Sequence, residues 1–398
     1  MPATCSKVAG MESNSLRRGV LLIMALFCLQ PMVIGAWLAL IPYVKADLDL
    51  TKLELAVALL GAPSALIVAL QFAGKAVSRF GLRRLMMGVF PIQCASGFLP
   101  LIAVDQVTLF LGLAVFGATL AFMEVGMNVY AGRVEKVAAK HIMNRCHGFW
   151  ALGLMIGSFV TAQGAGALGP IGIMAVVGIA SGGIGVIAAR ALPRVGADGG
   201  ETTNKRRKLN MLPGGLLPVG LFMLLTTLTE GAMADWSALY LSERQSVDLT
   251  SAGIAVTIFS GFMAAGRFSG DWIKTRVGAL VLARGSVVFS VVGLICLVAP
   301  LPIAFAFIGF AFVGVGVAAG YPLGVSAVAA LDDEHEAANV AIMSTFALTG
   351  FLIGPPVIGF LADAYGLRFG FAAMIPGLIL CLYLAKWLKP AIQPKDSV

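Results

Sequence analysis

Charged residues are scarce in this chain. Asp, Glu, Lys and Arg make up 12% of its 398 residues, about half of the ~25% that soluble domains carry. A soluble protein of this length needs a charged surface, so the composition argues against the water-soluble enzyme classes. Histidine is also rare, with three residues, and the six cysteines form no CxxC pair. A zinc site or a disulfide framework is therefore not expected, and the cysteines are predicted to be small buried residues.

Apolar residues are what the chain has in abundance. They make up 59% of the sequence, and the mean hydropathy is +0.92. A membrane helix needs about 20 apolar residues, so twelve helices would occupy roughly 60% of the chain. The 48 glycines and 18 prolines also suit membrane helices. The composition predicts an all-α integral membrane protein.

Apolar runs separated by charged or turn-rich breaks predict twelve transmembrane helices. Their predicted bounds are 19–43, 53–76, 85–104, 107–131, 145–168, 170–190, 215–240, 250–273, 280–299, 302–328, 338–361 and 369–388. The first run is too long for the core of a signal peptide, so it counts as a helix.

The longest predicted cytosolic connection divides the chain into two halves. The predicted organisation is a disordered N-terminus (1–18), a six-helix bundle (19–190), a linker (191–214), a second six-helix bundle (215–388) and a tail (389–398). Either Met1 or Met11 is the predicted start.

The distribution of positive charge predicts the orientation. An even number of helices puts both termini on one side, and 23 of the 28 Lys and Arg residues fall in segments on that side. The positive-inside rule then places both termini in the cytoplasm of a multi-pass protein of the cell inner membrane. The basic cluster Lys205–Lys208 is a topology signal and a candidate lipid-headgroup contact. This placement accounts for the net charge of +8 without a nucleic-acid partner.

The two halves repeat each other in sequence. Asp49–Thr51 matches Asp248–Thr250, and Trp37–Leu40 resembles Trp236–Leu239, both at an offset of 199. Two further short matches have offsets of 197 and 196. Four matches at nearly constant offset indicate a duplicated, parallel six-helix unit. In that architecture the substrate site lies between the halves, near the middle of the membrane.

The loop after the second helix resembles a known family signature. Residues Gly74–Arg84 resemble the G-x-x-x-D-R-x-G-R-R/K loop of the major facilitator superfamily, with Ser78 at the acidic position. A second copy keeps the acid Asp271, and a third follows Gly359. The resemblance implies the major facilitator fold and a cytosolic gate loop. The predicted gate residues are Gly74, Arg79, Gly81, Arg83, Arg267 and Asp271.

In that family the loop latches helices on the cytosolic side. We expect Arg267 to pair with Asp271, because they are four residues apart on one helix. Ser78 removes a charge from the N-terminal latch. The alternative is that these arginines only mark the cytosolic side.

Two stretches resemble a narrower group within the superfamily. Glu124–Asn128, followed by His147, and Glu230–Trp236 are similar to a bacterial subgroup that includes the rhizopine-associated permease. Rhizopine is an inositol-derived amine. The superfamily also contains fucose-type proton symporters with a carboxylate in the fourth helix, where this chain has Glu124.

Three acidic residues lie inside predicted helices, where a charge costs at least ~2.5–3.5 kcal/mol on insertion scales. They are Glu124, Glu230 and Asp235, and none has an acidic counterpart at the repeat offset. A single off-axis site predicts that asymmetry, whereas fold maintenance shared by both halves does not. Burial favours a protonated carboxyl group, which suits proton uptake and release. The alternative for each acid is pairing with a neighbouring helix.

Polar neighbours extend these candidates. Asn128 lies four residues after Glu124, on the same helical face, and can donate to that carboxylate or bind a hydroxyl. Around Glu230, a stripe of Thr226, Thr227 and Ser237 is expected to face the cavity. Glu230 itself would bind substrate hydroxyls, pair with an amine or carry a proton.

The other candidates each have a structural alternative. Asp235 is either a substrate contact or a gate residue, and His147 is either a proton carrier or a polar surface residue. Trp37 is a substrate contact or part of the interfacial aromatic belt. The predicted proton-coupling residues are Glu124, Glu230 and His147. The predicted substrate-binding residues are Gln30, Trp37, Asn128, Glu230, Asp235, Trp236 and Tyr321.

The sequence predicts a proton-coupled secondary transporter for a small polar solute: a sugar, a polyol or an inositol-type compound such as a rhizopine-like amine. It would act by alternating access, as a monomer in the bilayer, without a cofactor. No ATP-binding motif or nucleophile–base arrangement is present, so an enzyme is not expected. The alternative is a proton-driven efflux antiporter for drugs or cationic metabolites, although the Gly-Pro motif of many exporters is missing after Gly157.

Overall fold

The computed structural model describes residues 13–138, 142–195, 215–245, 251–329 and 336–388, and within them the regular structure is helical. The helices are α1 (Ser13–Leu29), α2 (Met32–Asp47), α3 (Lys52–Leu59), α4 (Gly61–Phe80), α5 (Leu82–Ser96), α6 (Gln106–Ala138), α7 (Met143–Ala191), α8 (Leu216–Gln245), α9 (Ile254–Val277), α10 (Ala279–Val298), α11 (Ala304–Val317), α12 (Gly320–Ala329), α13 (Glu336–Tyr365), α14 (Leu367–Ala372) and α15 (Ile375–Leu384).

Ten helical stretches in the described part of the chain are long and apolar enough to cross a membrane. Two features bear on the predicted number of twelve. The 49-residue helix α7 is broken at Gly169, where φ is 70° and ψ is 165°. Helix α9 is 24 residues long and is not among the ten; it carries four charged residues, Arg267, Asp271, Lys274 and Arg276.

Four glycines make the same turn at the junctions between helices. Gly81, Gly169, Gly278 and Gly366 have φ between 70° and 85° and ψ between 149° and 165°. That backbone region is essentially restricted to glycine. Gly81 and Gly278 are 197 residues apart, and so are Gly169 and Gly366. The turns therefore recur at an offset that lies within the range of 196 to 199 given by the short sequence matches.

The two ends of the bundle are distinguished by their contacts. Lys52 forms an ion pair of 3.0 Å with Glu243, and Asp363 accepts a 3.4 Å hydrogen bond from the Leu53 backbone N–H. These residues define the Lys52 end. Helices α3 and α4 then run to Gly81, so the turns at Gly81 and Gly278 lie at the opposite end, the Gly81 end.

Helices α7 and α9 join the two halves along much of their length. The hydroxyl groups of Ser158 and Thr257 share a 2.9 Å hydrogen bond. A Cβ at Gly148 would lie 2.6 Å from the Phe268 ring, and one at Gly261 would lie 2.8 Å from a side-chain sulfur of α7. Because glycine has no side chain, these positions allow the two helices to approach closely, as in other membrane bundles.

The helices extend beyond the predicted apolar runs. Residues 13–18, predicted to be disordered, are helical instead, because Leu16 packs against the core and the two arginines that follow it are good helix formers. The basic cluster Lys205–Lys208, most of the predicted linker and the tail lie outside the described residues.

Candidate functional site

A buried ion pair joins helices α8 and α9. The Arg267 guanidinium donates to a Glu230 carboxylate oxygen at 2.8 Å, and the two side chains are 9% and 8% exposed. Helix α8 supplies the acid and helix α9 supplies the base. Removing one partner of a buried pair typically costs about 3–5 kcal/mol, because the other charge stays desolvated.

The predicted pairing of Arg267 with Asp271 is wrong. Asp271 is exposed at the Gly81 end and accepts a hydrogen bond from the Asn144 side chain of α7. An exposed pair contributes little stability, whereas the buried Glu230 needs a counterion. Arg267 therefore satisfies Glu230.

Arg267 also reaches across to the N-terminal half. A second guanidinium nitrogen donates to the His147 backbone carbonyl at 3.3 Å, and the group lies 5.9 Å from the centre of the Trp150 ring. The His147 carbonyl and the Trp150 ring both belong to α7. One arginine therefore links the acid of one half to the backbone of the other.

The His147 ring lies between aromatic side chains of both halves. Its centre is 5.5 Å from that of Phe27 in α1 and 6.4 Å from that of Tyr321 in α12. The Tyr321 hydroxyl is 3.3 Å from the Ser344 hydroxyl of α13. His147 is half-buried, so it is neither a surface residue nor sealed in the core.

Glu124 lies near this cluster but outside the ion pair. It is half-buried on α6 and within electrostatic range of Tyr321. Its carboxylate has no hydrogen bond or ion pair with any residue that the structure describes. Asn128 does not donate to that carboxylate, as the sequence predicted it could; its amide donates to the Glu124 backbone carbonyl at 2.9 Å. Among the described residues, Glu124 is thus a free acid.

Asp235 is a second free acid. It is half-buried on α8, and within the described ranges it has no hydrogen bond or ion pair. The next two side chains are buried, and neither the Trp236 indole N–H nor the Ser237 hydroxyl has a partner there. Three neighbouring polar groups in this part of the structure therefore lack partners.

The predicted polar stripe on α8 does not face a cavity. Thr226 donates to carbonyls of its own helix, and Thr227 also donates to the Ala347 carbonyl of α13 at 3.0 Å. Both threonines are buried. They contribute to helix contacts instead, because a threonine hydroxyl can donate its hydrogen bond to a backbone carbonyl of a helix.

Gln30 and Trp37 are both 3% exposed. Gln93 of α5 donates to the Gln30 backbone carbonyl at 3.5 Å, and the side-chain oxygens of both glutamines lack partners among the described residues. Trp37 packs in the apolar core, which rules out the aromatic-belt alternative.

The predicted gate residues separate into two places. Gly74, Arg79, Gly81 and Arg83 surround the α4–α5 turn, where Arg79 lies 5.5 Å from the Phe80 ring centre. Ser78 donates to the Lys75 carbonyl at 2.9 Å, so it bonds locally. Arg267 lies deeper, in the ion pair.

Several contributors were missed from sequence. Asn144, Trp150 and Ser344 carry no signal in one sequence, because a single Asn, Trp or Ser in an apolar helix is common. The short sequence separation of Asn144 and Trp150 from His147 is the only available indication.

Comparison with known proteins now identifies the family. The Major Facilitator Superfamily profile matches residues 20–303 and 219–398. The chain belongs to the Major Facilitator Superfamily. The family prediction is confirmed, and the chain is a multi-pass membrane transporter and not an enzyme.

Two relatives cover most of the chain. An uncharacterised MFS-type transporter of Yersinia pestis is 28% identical over 353 residues, covering 87% of this chain and 90% of the relative. The membrane protein MosC of Rhizobium meliloti is 29% identical over 344 residues, covering 86% and 83%.

Solved structures of low identity share the fold. A mutant of the nucleoside transporter NupG has a TM-score of 0.75 at 13% identity, covering 93% of this chain and 99% of that one. A bacterial homologue of the human lysosomal transporter Spinster, inward-facing and unoccupied, has a TM-score of 0.69 at 12% identity, covering 95% and 98%. These identities support the fold alone.

Proposed function

We propose that this protein is a proton-coupled secondary transporter of a small polar organic solute of the sugar, polyol or inositol class. The observation that carries the proposal is the Glu230–Arg267 pair, bonded across the halves to the His147 carbonyl. Because Arg267 also bonds to the other half, its pairing with Glu230 can be exchanged for a proton or a solute as the halves move. Coupling requires such an exchange, because a ligand shifts an equilibrium only by its differential affinity for the two states.

The proposed architecture is twelve helices in two parallel halves with both termini cytoplasmic. The break at Gly169 divides α7 into two crossings, and α9 adds another to the ten apolar stretches. The 197-residue spacing of the glycine turns supports the duplication. The Gly81 end would then be cytoplasmic.

Glu124 is the proposed proton carrier. A carboxyl group without a partner can gain and lose a proton without breaking an ion pair, and burial favours its neutral form. Glu230 is the second proton-coupling acid, because it can accept a proton only when Arg267 releases it. His147, the third proposed proton-coupling residue, accepts a hydrogen bond from Arg267 through its backbone carbonyl, and its ring centre lies 6.4 Å from that of Tyr321.

Half-buried polar groups on α6, α12 and α13 suit a hydroxylated solute. Tyr321, Ser344 and Asn128 are half-buried, and each combines donor and acceptor capacity. Aromatic rings on both sides offer apolar surface for the face of a ring-shaped polyol. Within the described interior Arg267 is already paired, which disfavours an anionic solute.

The test is solute uptake into proteoliposomes under an imposed pH gradient, with radiolabelled myo-inositol and fucose as probes. Glu124→Gln should reduce pH-driven uptake at least tenfold, while counterflow exchange, which needs no net proton movement, persists. Asp105→Asn is the matched control, because Asp105 directly precedes the same helix but is exposed. Hydrogen bonds from Thr108 hold the pKa of the Asp105 carboxyl group below its usual range. Unchanged pH-driven uptake in Glu124→Gln would remove that acid as the carrier.

The second candidate is an efflux antiporter for cationic compounds. The observation in its favour is that Glu124 and Asp235 lack a cationic partner in the described structure, so a cation could supply one. Ethidium efflux from cells, lost in Glu230→Gln, would support it. Cells that retain ethidium like empty controls would favour the polar-solute transporter.

A further inference from the structure

A small polar pocket opens beside the buried ion pair. It lies among α7, α9, α10 and α12 at the Gly81 end, and it has about 30 Å³ available to the centres of water molecules. That is room for about two waters, given roughly 10–15 Å³ for each. His147 and Arg267 line its inner part, while Asp271, Lys274 and Ser326 line its outer part.

The pocket exists because α9 presents glycine there. Gly266 and Gly270 lie one turn apart on the wall. A Cβ at Gly270 would meet nothing within 4 Å, whereas one at Gly266 would lie 2.7 Å from the Ala318 side chain. A Cβ at Gly270 would therefore fit beside the pocket without displacing its neighbours.

Arg267 is part of the pocket wall. Glu230 is not part of its wall, but the carboxylate is one hydrogen bond of 2.8 Å behind that guanidinium. Arginine stays protonated in proteins, and a fixed positive charge in a narrow water path opposes proton passage. The intact pair therefore closes the route to Glu230.

Charged groups on each wall are consistent with this assignment. Helix α9 contributes Arg267, Asp271 and Lys274, and α7 contributes His147. The pocket residues of α10 and α12 carry no charge, and Tyr321 faces His147 from α12. The Asn144–Asp271 hydrogen bond joins the two halves beside the outer part.

We propose that this pocket is the water-filled route by which protons reach Glu230 from the Gly81 end, and that Arg267 is its gate. When the ion pair opens, a hydronium ion in the pocket gives its proton to a Glu230 carboxylate oxygen and becomes water. Neutral Glu230 no longer holds Arg267, which keeps its bond to the His147 carbonyl. The inference rests on the proposed proton coupling and adds the route by which the second acid, Glu230, takes up its proton; transport requires a proton on both Glu124 and Glu230, so loss of either one stops solute-driven proton movement.

The test blocks the pocket chemically after folding. In a background without native cysteines, Gly270→Cys is compared with Gly285→Cys. The two positions are at similar distances along the chain from the turn at Gly278, eight residues before it and seven residues after it. A Cβ at Gly285 also meets nothing within 4 Å, but Gly285 is outside the pocket wall. Anionic and cationic methanethiosulfonate reagents are applied from the Gly81 side. Gly270→Cys should react at least tenfold faster than Gly285→Cys.

Proton movement driven by myo-inositol or fucose is then measured in proteoliposomes with a trapped pH dye. Modified Gly270→Cys should lose at least tenfold in proton movement with both reagents, recover with dithiothreitol, and keep counterflow exchange. Equal labelling of the two cysteines, or proton movement unchanged by modification, would overturn the route. Absence of proton movement in the unmodified protein would instead overturn the proposed coupling, and the route with it.

Discussion

At the scale of single residues, the interior charges are the informative feature. Their rarity in apolar helices identified Glu124, Glu230 and Asp235 from sequence. The sequence did not identify the partner of Glu230, because Arg267 is 37 positions away on another helix. The acid nearest to Arg267 along the chain is Asp271, which is exposed. Only the packing of α8 against α9 shows that Arg267 pairs with Glu230 instead, because the buried carboxylate is desolvated.

The ion pair gives a prediction for stability. Glu230→Gln and Arg267→Gln should each lower the free energy of unfolding by about 3–5 kcal/mol, because each leaves a buried charge unpaired. The double variant should be more stable than either single variant, but its solute transport should still not be coupled to proton movement. Thermal unfolding in detergent measures this, and a double variant destabilised by the sum of the two would show that the residues act independently.

At the scale of elements, the helices were predictable and their contacts were not. Hydropathy located the apolar runs. The helices are longer than these runs, because helical turns made of polar residues continue beyond the apolar segment. The glycine turns at Gly81 and Gly278 follow from the repeated loop motif. The inward-facing stripe predicted for α8 failed, because Thr227 found a carbonyl on α13, a contact that no periodicity reports.

The turns give a prediction of their own. Gly81→Ala and Gly278→Ala should each lower stability by about 1–3 kcal/mol, because their φ and ψ values lie where Cβ is strained. Gly285→Ala is the control, since that glycine is helical and a Cβ there meets nothing within 4 Å. Equal melting temperatures for all three variants would show that the turns tolerate side chains.

At the scale of the whole molecule, the halves meet at both ends. Lys52 pairs with Glu243 at one end, and Asn144 bonds to Asp271 at the other. Alternating access requires these contacts to open in turn. Family membership was predictable from the loop motif, whereas the contacts that hold this conformation depend on which loops approach one another.

The Lys52 end can be locked. Lys52→Cys combined with Glu243→Cys, in a background without other cysteines, is joined by a flexible bis-methanethiosulfonate linker, because the 3.0 Å ion pair brings together the tips of two long side chains and a direct disulfide needs much closer Cβ atoms. The cross-linked protein should lose transport and regain it on reduction. Each single cysteine serves as a control, and full transport by the cross-linked protein would mean that this end does not open.

The most direct test of proton-coupled transport is proton movement driven by the solute. Purified protein is placed in proteoliposomes with a trapped pH dye and no pH gradient, and a gradient of myo-inositol or fucose is imposed. We expect a transported solute to change the internal pH with the wild-type protein and not with Glu124→Gln, although both exchange labelled solute. Solute transport without any pH change in the wild-type protein would contradict it.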